Sequence, residues 1–331
     1  TGNTLQTHIE VTADLDFSGF TLSRPLGYLS DDERVAFSGV LQGNGHSIKN
    51  LQIDSGNHHS AGMFYSLKDA TVENLVIDSS CSFTGEYGGA LSVSFAGSLT
   101  VKNTTNNAAV SGTQYLGGFI GYAQYMEQPI VISFEDCVNN GNVTGSPGDV
   151  GGFVGYIYEN TNVTLTISNS INNGNVTAFG GSEGGFIGGI HRNTIMSMTI
   201  SNSINNSGVT NSIGHAGGFV GHIGNSGITM TISDSTNNGN VTGGYYTGGF
   251  VGCTVSELPF LLLGILNSAN KGSVSATKEM ACGILCVNPV YNVNVNTAVK
   301  NSINKGSVNA STNGYGITNI ITEARNVVSM G

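Results

Sequence analysis

Seven stretches between residues 98 and 326 fall into one register: VKNTTNNAAVSG, FEDCVNNGNVTG, ISNSINNGNVTA, ISNSINNSGVTN, ISDSTNNGNVTG, ILNSANKGSVSA and VKNSINKGSVNA. One column of that register is always asparagine, at Asn106, Asn139, Asn172, Asn205, Asn237, Asn270 and Asn304. Four residues further on another is always valine, at Val110, Val143, Val176, Val209, Val241, Val274 and Val308. The steps are 32 to 34 residues. A unit of that length cannot bury its own apolar face, so the copies must stack into a solenoid, propeller or array.

Within one unit, Leu165, Ile167, Asn169 and Ile171 alternate with Thr166, Ser168 and Ser170, the period of a strand with one buried face. Asn-Asn-Gly then turns the chain. A short segment around Val176 follows, and Gly184-Gly185-Phe186-Ile187-Gly188 opens another strand. Three short strands per unit, repeated in register, predict an all-β chain folded as a right-handed parallel β-helix of nine or ten coils. The handedness follows from the preferred crossover between parallel strands. A propeller blade would need four strands and more hairpin signals. In the β-helix, Phe119, Phe153, Phe186, Phe219 and Phe250 form one ladder.

The asparagine column suits an inward corner, because an amide carries both donor and acceptor and can bond to its own kind on the next rung. The following column, Asn107, Asn140, Asn173, Asn206 and Asn238, gives way to Lys271 and Lys305 and reads as exposed. A third polar column runs through Asn103, Asp136, Asn169, Asn202, Asp234, Asn267 and Asn301. Strand parity places it on the buried side, with Asp136 and Asp234 at a bend or hydrogen-bonded.

Residues 1–97 read as a cap followed by shorter variant coils, since NLQID at Asn50 and NLVID at Asn74 lie 24 residues apart. HIEVTADLDF turns Ile9, Val11, Ala13, Leu15 and Phe17 inward as a capping strand. Residues 98–331 read as a seven-coil repeat solenoid continuous with it. The last residues, from Gly314 on, show no lid for the final rung. A start at Thr1 without methionine reads as a processed or excised segment. The 49 glycines oppose long helices. The net charge of −10 with 11 Lys and Arg opposes nucleic-acid or anionic-membrane partners. No run of 18 apolar residues is present to span a membrane as a helix.

The spaced elements GGFIG at Gly117, GGFVG at Gly151, GGFIG at Gly184, GGFVG at Gly217 and GGFVG at Gly248 alternate with NNGNVTG-like turns. With the lead-in FSGVLQGNGHSIKNLQID, they resemble the GLUG-motif repeat family. The resemblance covers nearly the whole chain. It departs in carrying Phe where Leu is usual, and ACGILC and GYGITN have lost the motif. It implies a secreted or surface-displayed β-solenoid of the adhesin-like kind and supplies no catalytic residues.

No metal-binding, nucleotide-binding or nucleophile motif is found, so no cofactor is expected. The seven histidines (His8, His46, His58, His59, His191, His215, His222) are scattered, and the cysteines Cys81, Cys137, Cys253, Cys282 and Cys286 lack zinc spacing. Glycoside hydrolysis needs paired carboxyls, yet Asp136, Asp149, Glu159, Glu183 and Asp234 share no column beyond Asp136 with Asp234. The acidic stretch Asp14, Asp16, Asp31, Asp32 and Glu33 is read as solvated loop charge, with a calcium site the sharper alternative. Cys253 and Cys286 both follow the glycine motif in adjacent coils. Rungs about 4.8 Å apart allow a disulfide, although parallel Cβ vectors oppose one. Sequons stand at Asn103, Asn142, Asn162, Asn175, Asn205, Asn240 and Asn309, three of them (Asn142, Asn175, Asn240) in one outer column. The expected function is a non-enzymatic extracellular or cell-surface structural and adhesive solenoid, its partners being its own kind end to end or a glycan or host surface. The alternatives are a carbohydrate-binding or carbohydrate-cleaving β-helix and an ice-binding solenoid. For the last, the Thr144, Thr177, Thr210 and Thr242 column is the whole signal.

Overall fold

A computed structural model describes residues 3–20, 22–30, 33–56, 59–124, 129–158, 162–192, 195–224, 226–255, 261–288, 295–318, 323–325 and 328–329. Among them there is no α-helix, and the strands pair in parallel into sheets of 16, 11, nine and eight members. Each rung bonds to the rungs before and after it, giving a parallel β-solenoid of about nine turns. No helix among the described residues is long and apolar enough to cross a membrane.

One coil shows how the sequence produces the turn. Val163–Ser168 and Ile187–His191 both lie in the 16-stranded sheet, and Val176–Ala178 lies in the nine-stranded one. These are the three strands expected from sequence. Two more, Ile171–Asn172 and Ser182–Gly184, are only two and three residues long, too short to show a period in sequence. In the early coils the two strands of the broad sheet run together, as in Ser92–Lys102. In later coils a loop separates them.

Parity misplaces one column. Asn103, Asp136, Asn169, Asn202, Asp234, Asn267 and Asn301 all have positive φ, between 43° and 55°. They are solvent-exposed, not buried. A left-handed residue turns the chain a corner and breaks the alternation, and Asn and Asp tolerate that conformation better than other side chains. The next residue therefore points inward instead: Thr104, Cys137, Ser170, Ser203, Ser235, Ser268 and Ser302 are all buried.

The core is a set of ladders. Phe119, Phe153, Phe186, Phe219 and Phe250 stack with successive ring centroids 5.0, 4.7, 4.9 and 4.8 Å apart. These are close to the rung spacing, so each ring packs against its copy on the next coil.

The N-terminal strand is not a lid. Asn3–Glu10 pairs in parallel with Val35–Gln42 as the outermost member of the stack. Val11 is buried, but Leu5, Ile9, Leu15 and Phe20 are 56%, 37%, 43% and 69% exposed. Among the described residues the segment is the first rung, and none of them pairs with its outer edge. At the other end Glu323–Arg325 and Val328–Ser329 add part of a further rung.

Candidate functional site

The asparagines of the first column are buried, and each amide makes two bonds. Asn172 Nδ2 donates to Asn205 Oδ1 at 2.9 Å and to the Gly174 carbonyl at 3.0 Å. The same pair of bonds recurs from Asn106 to Asn270, and Asn304 bonds the Gly306 carbonyl. Beside it runs a hydroxyl ladder that the sequence reading did not single out: Ser170 Oγ donates to the Ser168 carbonyl, and the Ser170 amide donates to Ser203 Oγ. The second asparagine column is exposed and bonds in the reverse direction, Asn140 to Asn107 and Asn173 to Asn140.

These ladders correct one acceptor site. Asn205 is fully buried with its amide engaged, so its sequon cannot receive a glycan in the folded chain. Asn103, Asn142, Asn162, Asn175, Asn240 and Asn309 are exposed. Asn175 Oδ1 accepts from Gly208 N and Asn142 Oδ1 from Asn175 N.

The disulfide also differs from expectation: Cys282 bonds Cys286, with Cα atoms 5.3 Å apart, and Cys253 is free. Val251 pairs with Leu285, so Cys286 stands opposite Gly252 and Cys253 opposite Val287. A one-residue offset puts the two thiols on opposite faces of the sheet. Cys282 and Cys286 occupy the first and last glycine positions of the motif, which face each other across the turn.

Asp14 and Asp16 are engaged chiefly by residues of the next coil. Lys49 Nζ lies 2.6 Å from Asp14, and its hydrogen bond holds that carboxyl down to about 2. Asn50 Nδ2 and the Ser18 amide donate to Asp16. Asp31, Asp32, His58 and Glu159 lie outside the described residues.

The strongest concentration of chemistry is a stripe of rings running along the solenoid axis, where the short glycine strands meet the broad sheet. Tyr87 packs on Tyr115 and Tyr122, and Tyr115 stacks on Tyr156 at 4.0 Å and 14°. Tyr156 meets His191 at 5.3 Å, His191 meets His222 at 4.6 Å, His222 meets His215 at 5.0 Å, and His215 meets Tyr246 at 5.5 Å. Tyr122, Tyr156, Gly189, His222 and Cys253 are directly paired positions on successive rungs. Most of these rings are half-buried. Stacking withdraws part of their polar surface as well: His191 Nε2 and His222 Nε2 are buried without a hydrogen-bond partner. Apart from the recurring motif glycines, no column of like residues runs here, so the register alone brings the scattered histidines together.

Gly189 leaves a notch in that column, and the carboxylate of Asp149 and the ring of His191 close over it. Asp149 Oδ2 lies 3.8 Å from His191 Nε2. Burial raises the Asp149 carboxyl to about 7 against hydrogen bonds from Ser182, and burial lowers His191 to about 4. At neutral pH the contact therefore joins an uncharged imidazole to a carboxyl near half-ionisation, and is not a conventional ion pair. Glu183, on the rung after Val150, is fully buried with both carboxyl oxygens lacking a hydrogen-bond partner. Burial, and then the nearby Asp149, push it well above the ordinary carboxylate range.

Elsewhere in the same 16-stranded sheet, Thr164 with Thr166, Ser197 with Thr199 and Thr229 with Thr231 make two outward hydroxyl columns three coils wide. Val131 ends the patch on one side and Leu262 with Gly264 on the other.

No family model matches the chain. Over 106 residues it is 37% identical to halomucin from Haloquadratum walsbyi (strain DSM 16790 / HBSQ001), a stretch that is 32% of this chain and 1% of halomucin. A solved structure described as an immunoglobulin A1 protease from Bacteroides ovatus aligns over 95% of this chain and 78% of that one, with 17% identity and a TM-score of 0.46.

Proposed function

We propose that the chain is a non-enzymatic, extracellular structural and adhesive β-solenoid of the GLUG-motif kind, which meets glycans at a cell surface along its tyrosine–histidine stripe. The stripe is the observation that carries this reading. It runs unbroken from Tyr87 to Tyr246. Its long row of half-buried aromatic rings matches the extended, repeating surface of a polysaccharide better than a compact ligand. The likeness to halomucin supports an extracellular setting. Against hydrolysis stands the placement of the carboxyls: Asp149 reaches the notch, but Glu183 faces the core, whereas cleavage needs two carboxyls flanking one bond. The test is binding and turnover on a panel of immobilised polysaccharides. Retention without turnover is expected, weakened at least tenfold by Tyr87→Ser with Tyr115→Ser. Unchanged retention by that variant, or turnover that Asp149→Asn abolishes, would overturn it.

End-to-end assembly is a second reading, favoured by the open first rung. An unpaired parallel edge with Leu5, Ile9, Leu15 and Phe20 exposed is a template for a further coil. Such head-to-tail contacts do not close into a ring. Sedimentation should show concentration-dependent growth that Ile9→Lys suppresses. A monomer at every concentration rules the reading out.

A further inference from the structure

We infer that His215, His222 and Cys253 form a binding site for a borderline-soft divalent cation of the zinc class, with three protein ligands and a fourth position open to water. The three residues converge for reasons set by the fold. His215 begins the strand His215–Gly217, and His222 sits in the strand Val220–Gly224. The glycine-motif turn between these strands folds one imidazole back against the other, with ring centroids 5.0 Å apart. Cys253, in Val251–Val255, is the direct partner of His222 on the next rung. One ligand atom from each residue lies within 4.8 Å of the others.

A second observation points to a ligand here. His222 Nε2 is buried without a hydrogen-bond partner. An imidazole nitrogen withdrawn from water and left unsatisfied is destabilising, and a bound cation removes that cost. The donor set decides the class of ion. Two imidazoles and a thiolate suit zinc or copper, whereas calcium and magnesium require oxygen ligands. Tetrahedral bonds of about 2.0–2.3 Å place donor atoms about 3.3–3.6 Å apart, so the site must close by roughly 1 Å, within reach of histidine side-chain rotation. His215 Nδ1 accepts a 3.4 Å contact from the Tyr246 amide. Coordination through its other nitrogen moves the ring proton to Nδ1 and gives up only that weak bond.

The protonation states agree with this geometry. Burial keeps both imidazoles neutral, with His215 lowered to about 4, so their lone pairs are free at neutral pH. Burial raises the Cys253 thiol. Binding therefore breaks the S–H bond, forms a metal–sulfur bond and sends one proton to solvent, without oxidation or reduction. Affinity must rise with pH.

The test is titration of the full, chelator-treated chain with Co²⁺ and Zn²⁺, read by absorption and calorimetry. One ion per chain is expected, with a sulfur-to-cobalt charge-transfer band, the intense visible bands of a tetrahedral ion, and close to one proton released. Cys253→Ser should remove the charge-transfer band and weaken binding at least tenfold. His215→Gln should weaken it similarly, and this half-buried position keeps the test open if the cysteine variant does not fold. A chain that binds cobalt without the charge-transfer band, or whose affinity is unchanged in both variants, overturns the site. So does binding that disappears on replacing His8 and His59 instead.

Discussion

At the scale of single residues, one amide holds two rungs together. Asn172 donates to Asn205 and to Gly174, while its own oxygen accepts from Asn139. Replacing it by Leu fills the space but leaves the Asn139 amide and the Gly174 carbonyl short of partners. Asn172→Leu should destabilise by about 1–3 kcal/mol in denaturant melts, and an unchanged midpoint would show the ladder to be energetically idle. Asp149 offers a test with a defined sign. Its carboxyl titrates near 7 when folded against an ordinary 3.8. Between those values the unfolded chain loses the proton and the folded chain keeps it, so stability from this group falls as pH rises from about 4 to about 7. His191 and His215, lowered to about 4 from 6.5, work in the opposite sense, losing stability as pH falls through the same window. Asp149→Asn removes the first effect, together with the part of the Glu183 shift that Asp149 causes. It should gain on the parent by about 2–4 kcal/mol between pH 5 and pH 7.5, and a constant difference would mean the carboxyl is not buried.

At the scale of elements, each corner is set by a different device. The left-handed Asn or Asp turns the chain out of the broad sheet, the inner Asn and the Asn-Asn-Gly turn make the second corner, and the double glycine makes the third. Gly185 has no room for a side chain, since a Cβ there would meet the Gly218 carbonyl oxygen and the Asn205 amide. The coil that replaces GGFVG by ACGILC closes the same turn covalently. Thiol titration of the unfolded, unreduced protein should therefore find three free groups, Cys81, Cys137 and Cys253, and five after reduction. Five before reduction would exclude the bridge. The turn and its glycine spacing were visible in sequence, but the thiol pairing was not. Two cysteines that look equivalent relative to the motif differ by one residue in register, and in a strand one residue reverses the face.

At the scale of the molecule, contacts run between neighbouring rungs, so stability is a sum of rung and interface terms instead of one global quantity. The central coils have a rung on both sides, while Asn3–Glu10 and Val328–Ser329 have one. Hydrogen exchange should be slowest for the strands from Ile130–Glu135 to Leu261–Leu266 and fastest at the two ends. Uniform protection along the axis would mean that the ends are covered, as by assembly.

The repeat by itself determined the stacking direction, the phenylalanine ladder and the inward asparagines, because a residue that recurs on every rung must meet its own copy. It could not place the residues that do not recur. Asp149, His191, His215, His222 and Cys253 share no spacing along the chain, and only the register of successive coils carries them to one stripe. Parity also failed where a positive φ interrupted it, since alternation holds only while the backbone stays extended. A periodic sequence specifies a periodic scaffold, and the single departures from it acquire neighbours only when the coils are wound.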